Sequence, residues 1–191
     1  MSRTSTVKDR VLHAFETLIL RDGERAATLE AVAAEAGVSK GGLLYHFGSR
    51  EALGEGLIER LKTLAQEDLE LMAQASEGAA QYYVRTSGQA DMELDRTIVA
   101  ALRLAHGQEA RVRTVFAEIQ LRWFELIREE VGDPAIAQTI ILIGDGLYYN
   151  SSLHGQGLGV ADTAYPERLE SLQRVVEGLK GLAQSKLGAG K

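Results

Sequence analysis

Residues 28–53 read TLEAVAAEAGVSKGGLLYHFGSREAL, and this stretch is the most informative part of the chain. It contains two short helical patterns separated by a tight turn at residues 36–39. Gly37 supplies the positive φ that such a turn needs, and Thr28 and Ser39 are good N-caps for the two helices. Apolar side chains that can seal the pair against a preceding helix follow at Val32, Val38 and Leu43. This arrangement is typical of a helix-turn-helix, whose second helix can enter the major groove of DNA.

The second helix, predicted over residues 40–46, has an unusual composition for a helix that only packs. Gly41 and Gly42 each cost about 1 kcal/mol of helix stability relative to alanine. A structural helix gains nothing from that cost, whereas a helix that approaches DNA closely gains room at the groove. Residues 37–50 also contain no acidic side chain. We therefore expect this helix to face DNA.

The stretch resembles the N-terminal signature of the tetracycline-repressor (TetR) family of transcriptional regulators. The matching positions are Thr28, Val32, Ala33, Ala36-Gly37-Val38-Ser39, Gly41, Leu44-Tyr45, His46-Phe47, Ser49-Arg50 and Leu53. The resemblance implies a helix-turn-helix DNA-binding domain over residues 1–50 and a helical ligand-binding and dimerisation domain over residues 51–191. It further implies a homodimer that binds a palindromic DNA operator, most often as a repressor that a small-molecule effector releases.

Carried over position by position, the resemblance assigns roles to the DNA-facing residues. Lys40 and Gly41 would lie nearest the base edges. Tyr45, His46 and Arg50 would hold the phosphate backbone. The full predicted DNA-binding set is Thr28, Ser39, Lys40, Gly41, Gly42, Tyr45, His46 and Arg50. Because this helix has few long side chains, DNA shape can contribute to recognition beside direct hydrogen bonds.

The rest of the chain follows a helical period. Apolar residues recur about every 3.6 positions, without a long alternation of period 2, which predicts an all-α protein. The predicted helices cover residues 7–22, 29–36, 40–46, 50–75, 78–86, 93–105, 109–131, 134–154 and 166 onward. Asp133-Pro134 is a strong start signal, since proline is favoured at the first helical position.

The charge distribution confines any DNA contact to the N-terminal part of the chain. Residues 1–54 carry seven basic and seven acidic side chains, so the whole net charge of −6 lies in residues 55–191. An acidic surface is a poor non-specific binder of nucleic acid or anionic membrane.

Composition and motifs also exclude several classes of function. The chain has no cysteine, which excludes disulfides, thiolate metal sites and a cysteine nucleophile. It contains no phosphate-binding glycine loop and no hydrolase or metalloprotease motif, so we expect neither an enzyme nor a bound cofactor. The four histidines lack metal-ligand spacing.

Residues 1–10 lack a signal-peptide pattern, and the most apolar window, residues 140–149, is too short to span a bilayer. We expect a cytoplasmic protein.

Aromatic and polar residues in the C-terminal part form a candidate effector site. The candidates are Tyr82, Tyr83, Arg103, His106, Phe116, Gln120, Trp123, Asp145 and Tyr149. They can line a pocket, or they can be core residues with satisfied polar tips. Asp145 needs a partner or a raised pKa, and it can bind a cationic or hydroxylated ligand, accept from Tyr148, or meet a residue across a dimer seam. Gly144 and Gly146 would allow another helix to approach closely, which favours a dimer seam on one face.

Two expectations concern the molecule as a whole. The fourth helix should border a cavity between Tyr82 and Trp123 through Leu64 and Leu71, and so connect effector to DNA. The dimer should form through residues 133–154 and 166–185. The alternative function is a helical small-molecule-binding or adaptor protein without ligand-controlled DNA release.

Overall fold

The computed structural model describes residues 6–87, 93–104, 108–154 and 165–189. All regular secondary structure in these ranges is helical, which confirms the predicted all-α class. The helices are α1 (Val7–Asp22), α2 (Leu29–Glu35), α3 (Lys40–His46), α4 (Arg50–Ala73), α5 (Ala79–Ser87), α6 (Glu93–Leu102), α7 (Glu109–Val131), α8 (Pro134–His154) and α9 (Tyr165–Ala189), with one 3₁₀ turn, η1 (Glu24–Ala26). Among the described helices, none combines the length and hydropathy that a bilayer span requires.

Local sequence signals set most of the helix ends. Thr6 and Asp9 form a capping box at the start of α1, where Thr6 Oγ1 accepts from the Asp9 amide at 3.1 Å. Asp133 Oδ1 accepts from the amides of Ala135 and Ile136 at 2.9 and 3.2 Å, so the predicted cap of α8 is confirmed. The predicted bounds of α7 and α8 agree with the observed ones, whereas α4 and α6 end two and three residues earlier than predicted.

The chain forms two compact units. The first unit comprises Met1–Ala65 and Glu93–Glu118. Within it, α1 packs against α2, η1 and α6, and α2 packs against α3. Its largest fully buried side chains include Phe15, Ile19, Leu43, Leu53 and Leu57. The first turns of α4 are therefore buried in this unit through Leu53 and Leu57.

A buried carboxylate also holds the first unit together. Glu16 is fully buried on α1, and it accepts from Arg60 Nε of α4 at 3.0 Å and from Thr97 Oγ1 of α6 at 2.7 Å. Burial raises the pKa of Glu16, against the opposing effects of Thr97 and Arg60. These bonds join three helices at one carboxylate.

The second unit comprises Gln66–Met92 and Ile119–Lys191. Here α5 packs on α8 and on α9. Glu130 of α7 contacts both α5 and α9. Its Oε2 accepts from the Ala80 amide in the first turn of α5 at 2.8 Å, and its Oε1 lies 2.8 Å from Lys180 Nζ of α9. The carboxylate thus satisfies an amide at a helix N-terminus, where negative charge is favourable.

Candidate nucleic-acid interface and effector site

The helix-turn-helix is built from the caps and the turn that the sequence predicts. Thr28 Oγ1 accepts from the Ala31 amide at 3.1 Å, and Ser39 Oγ accepts from the Gly42 amide at 3.0 Å. Gly37 has a φ of 64° in the connecting turn. The predicted caps and the positive φ of Gly37 are confirmed, and together they fix where α3 starts relative to α2.

Helix α3 has one buried face and one exposed polar face. Leu43 is fully buried, whereas Ser39, Lys40, Gly41 and His46 are exposed. Tyr45 is 85% exposed, and its ring meets the His46 ring edge-on at a centroid distance of 5.1 Å. A large aromatic side chain that is this exposed contributes little to the core, so packing within the described chain does not account for Tyr45.

Gly41 has room for a Cβ atom, unlike glycines at which a Cβ would collide with neighbouring side chains. A Cβ atom built on Gly41 would meet no atom within 4 Å, whereas one on Gly42 would lie 3.2 Å from Ser39 Oγ. The fold of the free chain therefore does not explain the glycine at position 41.

Each of the two basic residues predicted to touch DNA has an acidic neighbour. Lys40 Nζ lies 2.5 Å from Glu30 Oε1, and both side chains are mostly exposed. The hydrogen bond from Lys40 lowers the pKa of Glu30. Arg50 is half-buried, and its Nη2 donates to the backbone carbonyl of Glu24. Thr28, also in the predicted set, is exposed.

In the second unit, three aromatic side chains donate hydrogen bonds to two carboxylates. Asp68 accepts from Tyr82 Oη at 3.0 Å and from Trp123 Nε1 at 2.8 Å. Asp145 accepts from Tyr83 Oη at 2.9 Å. The rings of Tyr83 and Trp123 lie 5.7 Å apart, so the two groups form one aromatic–carboxylate cluster.

Burial controls the protonation of this cluster. It raises the pKa of Asp68, while the hydrogen bonds from Trp123 and Tyr82 act in the opposite direction. Burial also raises the pKa of Tyr82 and of Tyr83, and the charge of Asp68 or Asp145 adds to the effect. Both phenols therefore keep their protons and remain donors.

The cluster contains only some of the predicted effector residues. Tyr82, Tyr83, Trp123 and Asp145 meet in it, with their polar tips satisfied. Gln120 is half-buried in the same unit, and Tyr149 is 65% exposed. Two candidates belong to the first unit: Phe116, and Arg103, which donates from Nη1 to the Leu20 carbonyl at 2.9 Å. His106 lies outside the described residues.

Two details of the sequence interpretation are wrong. Leu71 is 60% exposed, so this residue of α4 does not border a cavity; Asp68 is the α4 residue that joins Tyr82 and Trp123. The helix that approaches Gly144 is α5 of the same chain, because a Cβ at this position would lie 2.3 Å from Tyr83 Cε1.

Asp68 was not among the predicted site residues. Its position carried a signal: it lies three residues after Ala65 and four before Met72, and both of these are buried. A carboxylate at helical spacing from core residues must face the interior and needs donors there.

Comparison with known families decides the classification. Residues 11–57 match the family model described as bacterial regulatory proteins, tetR family, and residues 77–183 match the tetracyclin repressor-like C-terminal domain. The chain belongs to the TetR family. Members of this family are transcriptional regulators and not enzymes, and their first domain is a DNA-binding helix-turn-helix.

Solved structures show the same fold at low identity. The multidrug binding protein EbrR, crystallised with malachite green, has a TM-score of 0.63 and 20% identity, with 90% of this chain and 96% of that chain covered. A protein from Rhodococcus sp. assigned to the TetR family has a TM-score of 0.57 at 18% identity, with coverages of 93% and 98%. The fatty acid degradation regulator FadR from Bacillus halodurans has a TM-score of 0.57 at 16% identity, with coverages of 92% and 96%. Comparison with curated protein sequences gave no match.

In the part of this TetR-family chain that the structure describes, no group of three metal-binding side chains is close enough to hold a metal ion.

Proposed function

We propose that this TetR-family protein is a cytoplasmic repressor that binds a palindromic operator as a homodimer and is released by a small-molecule effector. The observation that carries the proposal is the exposed polar face of α3, with Tyr45 at its centre and Gly41 open to solvent. Such a face fits a helix that lies in the major groove with side chains on the flanking phosphates. Residues 1–50 would form the DNA-binding domain, and residues 51–191 the effector and dimerisation domain.

Exposed apolar residues on the last two helices support the homodimer. On α8, Leu142, Gly146 and Tyr149 are exposed at spacings of four and three, so they share one face. On α9, Val175 and Leu182 are exposed on either side of Gly178. A second copy would remove these surfaces from water, and glycines allow close approach of helices. Dimers are also typical of the family.

The aromatic–carboxylate cluster supports an effector site in the second unit. Asp68 is mostly buried, and among the residues that the structure describes, the groups that perturb its pKa are two neutral donors and no basic side chain. A ligand with a positive charge and a flat apolar body would neutralise the carboxylate and stack on the rings of Tyr82 and Trp123. EbrR, a multidrug binding protein with a similar fold, was crystallised in complex with malachite green, which supports a small-molecule site in this chain. We propose Tyr82, Tyr83, Trp123 and Asp145 as effector contacts, together with Asp68.

Effector and DNA would be coupled through a shift between conformations. The two recognition helices of a dimer reach successive major grooves about 34–36 Å apart. An effector that binds better when the two DNA-binding domains are spread shifts the population away from that spacing and lowers operator affinity.

Selection of duplexes from a random pool tests the DNA-binding part of the proposal. The wild-type protein should enrich an inverted repeat whose half-sites are about 10 base pairs apart from centre to centre. Sequences that do not converge after repeated rounds would instead favour the alternative, a small-molecule binder without operator recognition.

The single tryptophan of the chain tests the effector site directly. A compound that releases the selected operator should change the fluorescence of Trp123 with the same midpoint as the release. Trp123→Phe keeps an aromatic ring but removes the N–H donor to Asp68. It should shift the midpoint of release by the compound, while operator affinity without effector stays within about tenfold. Release without any change in Trp123 fluorescence would place the effector elsewhere.

A further inference from the structure

Arg50 is placed unexpectedly for a residue that follows a recognition helix. Its guanidinium turns toward η1, where Nη2 donates to the Glu24 carbonyl and lies 3.6 Å from Glu24 Oε1. The Arg50 side chain is 26% exposed and that of Glu24 only 9%. Because the pair is largely removed from water, its attraction is screened less than that of a surface pair such as Lys40 and Glu30.

A cavity of about 10 Å³ adjoins the pair, and this volume suits a single water molecule. Its lining contains one cation and two carboxylate side chains, as follows: Phe15, Glu24, Arg50, Glu51, Gly54, Leu104 and Gln108. Gln108 Nε2 donates to the Glu51 carbonyl at 3.1 Å and closes one side. A phosphate that binds Arg50 would draw its guanidinium away from the Glu24 carbonyl and carboxylate.

We propose that Glu24 competes with DNA phosphate for Arg50 and thereby lowers the affinity of this protein for DNA of any sequence. The proposal rests on the DNA-binding function proposed above. A carboxylate and a phosphate present the same pair of oxygen acceptors to a guanidinium, so one can replace the other. When Arg50 moves to a phosphate, the positive charge of Arg50 leaves the Glu24 carboxylate, which then attracts cations from solution more strongly. This cation uptake reduces the net number of cations released on DNA binding by about one, because each phosphate contact releases cations from the DNA.

A double-mutant cycle on Glu24 and Arg50 tests this exchange. The probe is a short fluorescent duplex of arbitrary sequence, and anisotropy titrations are run over a series of salt concentrations. Glu24→Gln should tighten binding about fivefold, because the neutral amide holds Arg50 less strongly than the carboxylate. It should also steepen the dependence of log K on log salt by about one, because the cation uptake is lost. In an Arg50→Gln background, Glu24→Gln should change neither quantity.

Two further variants separate this exchange from general effects of charge and folding. Glu35→Gln makes the same change in net charge on α2, next to Arg21 rather than Arg50, and should leave DNA affinity within about twofold. Glu24→Asp keeps the charge but shortens the reach to Arg50, and it should give a partial gain in affinity. Thermal melting shows which variants are folded.

The outcomes decide between exchange and its alternatives. If Glu24→Gln tightens binding equally in the Arg50→Gln background, the gain is simple loss of repulsion and the proposal is wrong. If Glu24→Gln leaves the affinity of a folded protein unchanged, Glu24 does not compete, and the proposal is equally wrong. If the wild-type protein binds neither this duplex nor any selected sequence, the proposed DNA-binding function is wrong. Wild-type binding therefore tests that function, whereas the mutant cycle tests the exchange at Arg50.

Discussion

If α3 binds DNA as proposed, helix stability and DNA contact make opposite demands on Gly41. It lies within α3, where glycine weakens a helix, and a Cβ atom at this position would touch nothing in the free protein. We predict that Gly41→Ala stabilises the free protein by up to about 1 kcal/mol. The same methyl group would enter the gap between α3 and the base edges, so operator affinity should fall about tenfold or more, as expected for a clash in a close-fitting interface. Urea unfolding and anisotropy titration measure the two effects. A variant that is more stable and binds the operator as tightly as the wild type would contradict this account of Gly41.

Individual residues differ in how far the sequence reveals their roles. The caps Thr28 and Ser39 could be predicted because each bonds an amide only three residues away. The donors to Asp68 and Glu16 could not be predicted, because they lie far along the chain: Trp123 is 55 residues from Asp68, and Thr97 is 81 residues from Glu16. Arg50 shows the same limit, since its partner Glu24 precedes it by 26 residues in a separate turn. Roles that depend on a distant partner need the three-dimensional structure.

At the scale of elements, the joint between α4, α5 and α7 has a stability that should depend on pH. Burial raises the pKa of Asp68 above its ordinary value of 3.8 in the folded protein. A carboxyl group with a raised folded-state pKa stabilises the fold below its unfolded-state pKa, and this contribution is lost as the pH rises through the folded-state value. We predict that the unfolding free energy of the wild type, relative to that of Asp68→Asn, decreases as the pH rises from 3.8 through the higher folded-state pKa. Urea titrations at several pH values measure the difference. A difference that is constant over this range, or that increases with pH, would contradict the assigned burial.

Helix boundaries could be predicted more reliably than helix faces. The bounds of α7 and α8 follow from caps, proline and glycine, which act within a few residues. The face of α4 was harder to predict, because Leu71 suggests burial by its residue type. Its neighbour Met72 is the residue that is buried, in register with Ala65 and Leu69. The period of the buried residues, and not the hydrophobicity of one residue, decides which side of this helix faces inward.

The whole molecule should be a dimer that depends on the exposed faces of α8 and α9. Light scattering at micromolar concentration should give about twice the chain mass of 20.7 kDa. Leu142 is 61% exposed on α8, and Leu142→Glu would place a charge in the proposed interface at no cost to the free chain. We predict that it shifts the protein to the monomer mass and weakens operator binding at least tenfold, because a single DNA-binding domain reads only half of the operator.

Leu71→Glu is the matched control for this prediction. Leu71 is similarly exposed but lies on α4. The control should remain a dimer with wild-type operator affinity. Dimerisation by both variants alike would exclude the α8 face from the interface.

The exposed face of α3 is proposed to contact DNA, and Tyr45 is the most exposed aromatic residue on it. Because Tyr45 is 85% exposed, its truncation should leave the melting temperature unchanged, so any loss of binding is a loss of contact. The measurement compares the wild type and Tyr45→Ala by anisotropy on the selected operator and on an unrelated duplex. The account predicts that Tyr45→Ala binds both duplexes more weakly by about tenfold, as expected for loss of a contact to the phosphate backbone, with melting unchanged. Wild-type affinity of a folded Tyr45→Ala protein for both duplexes would contradict the account.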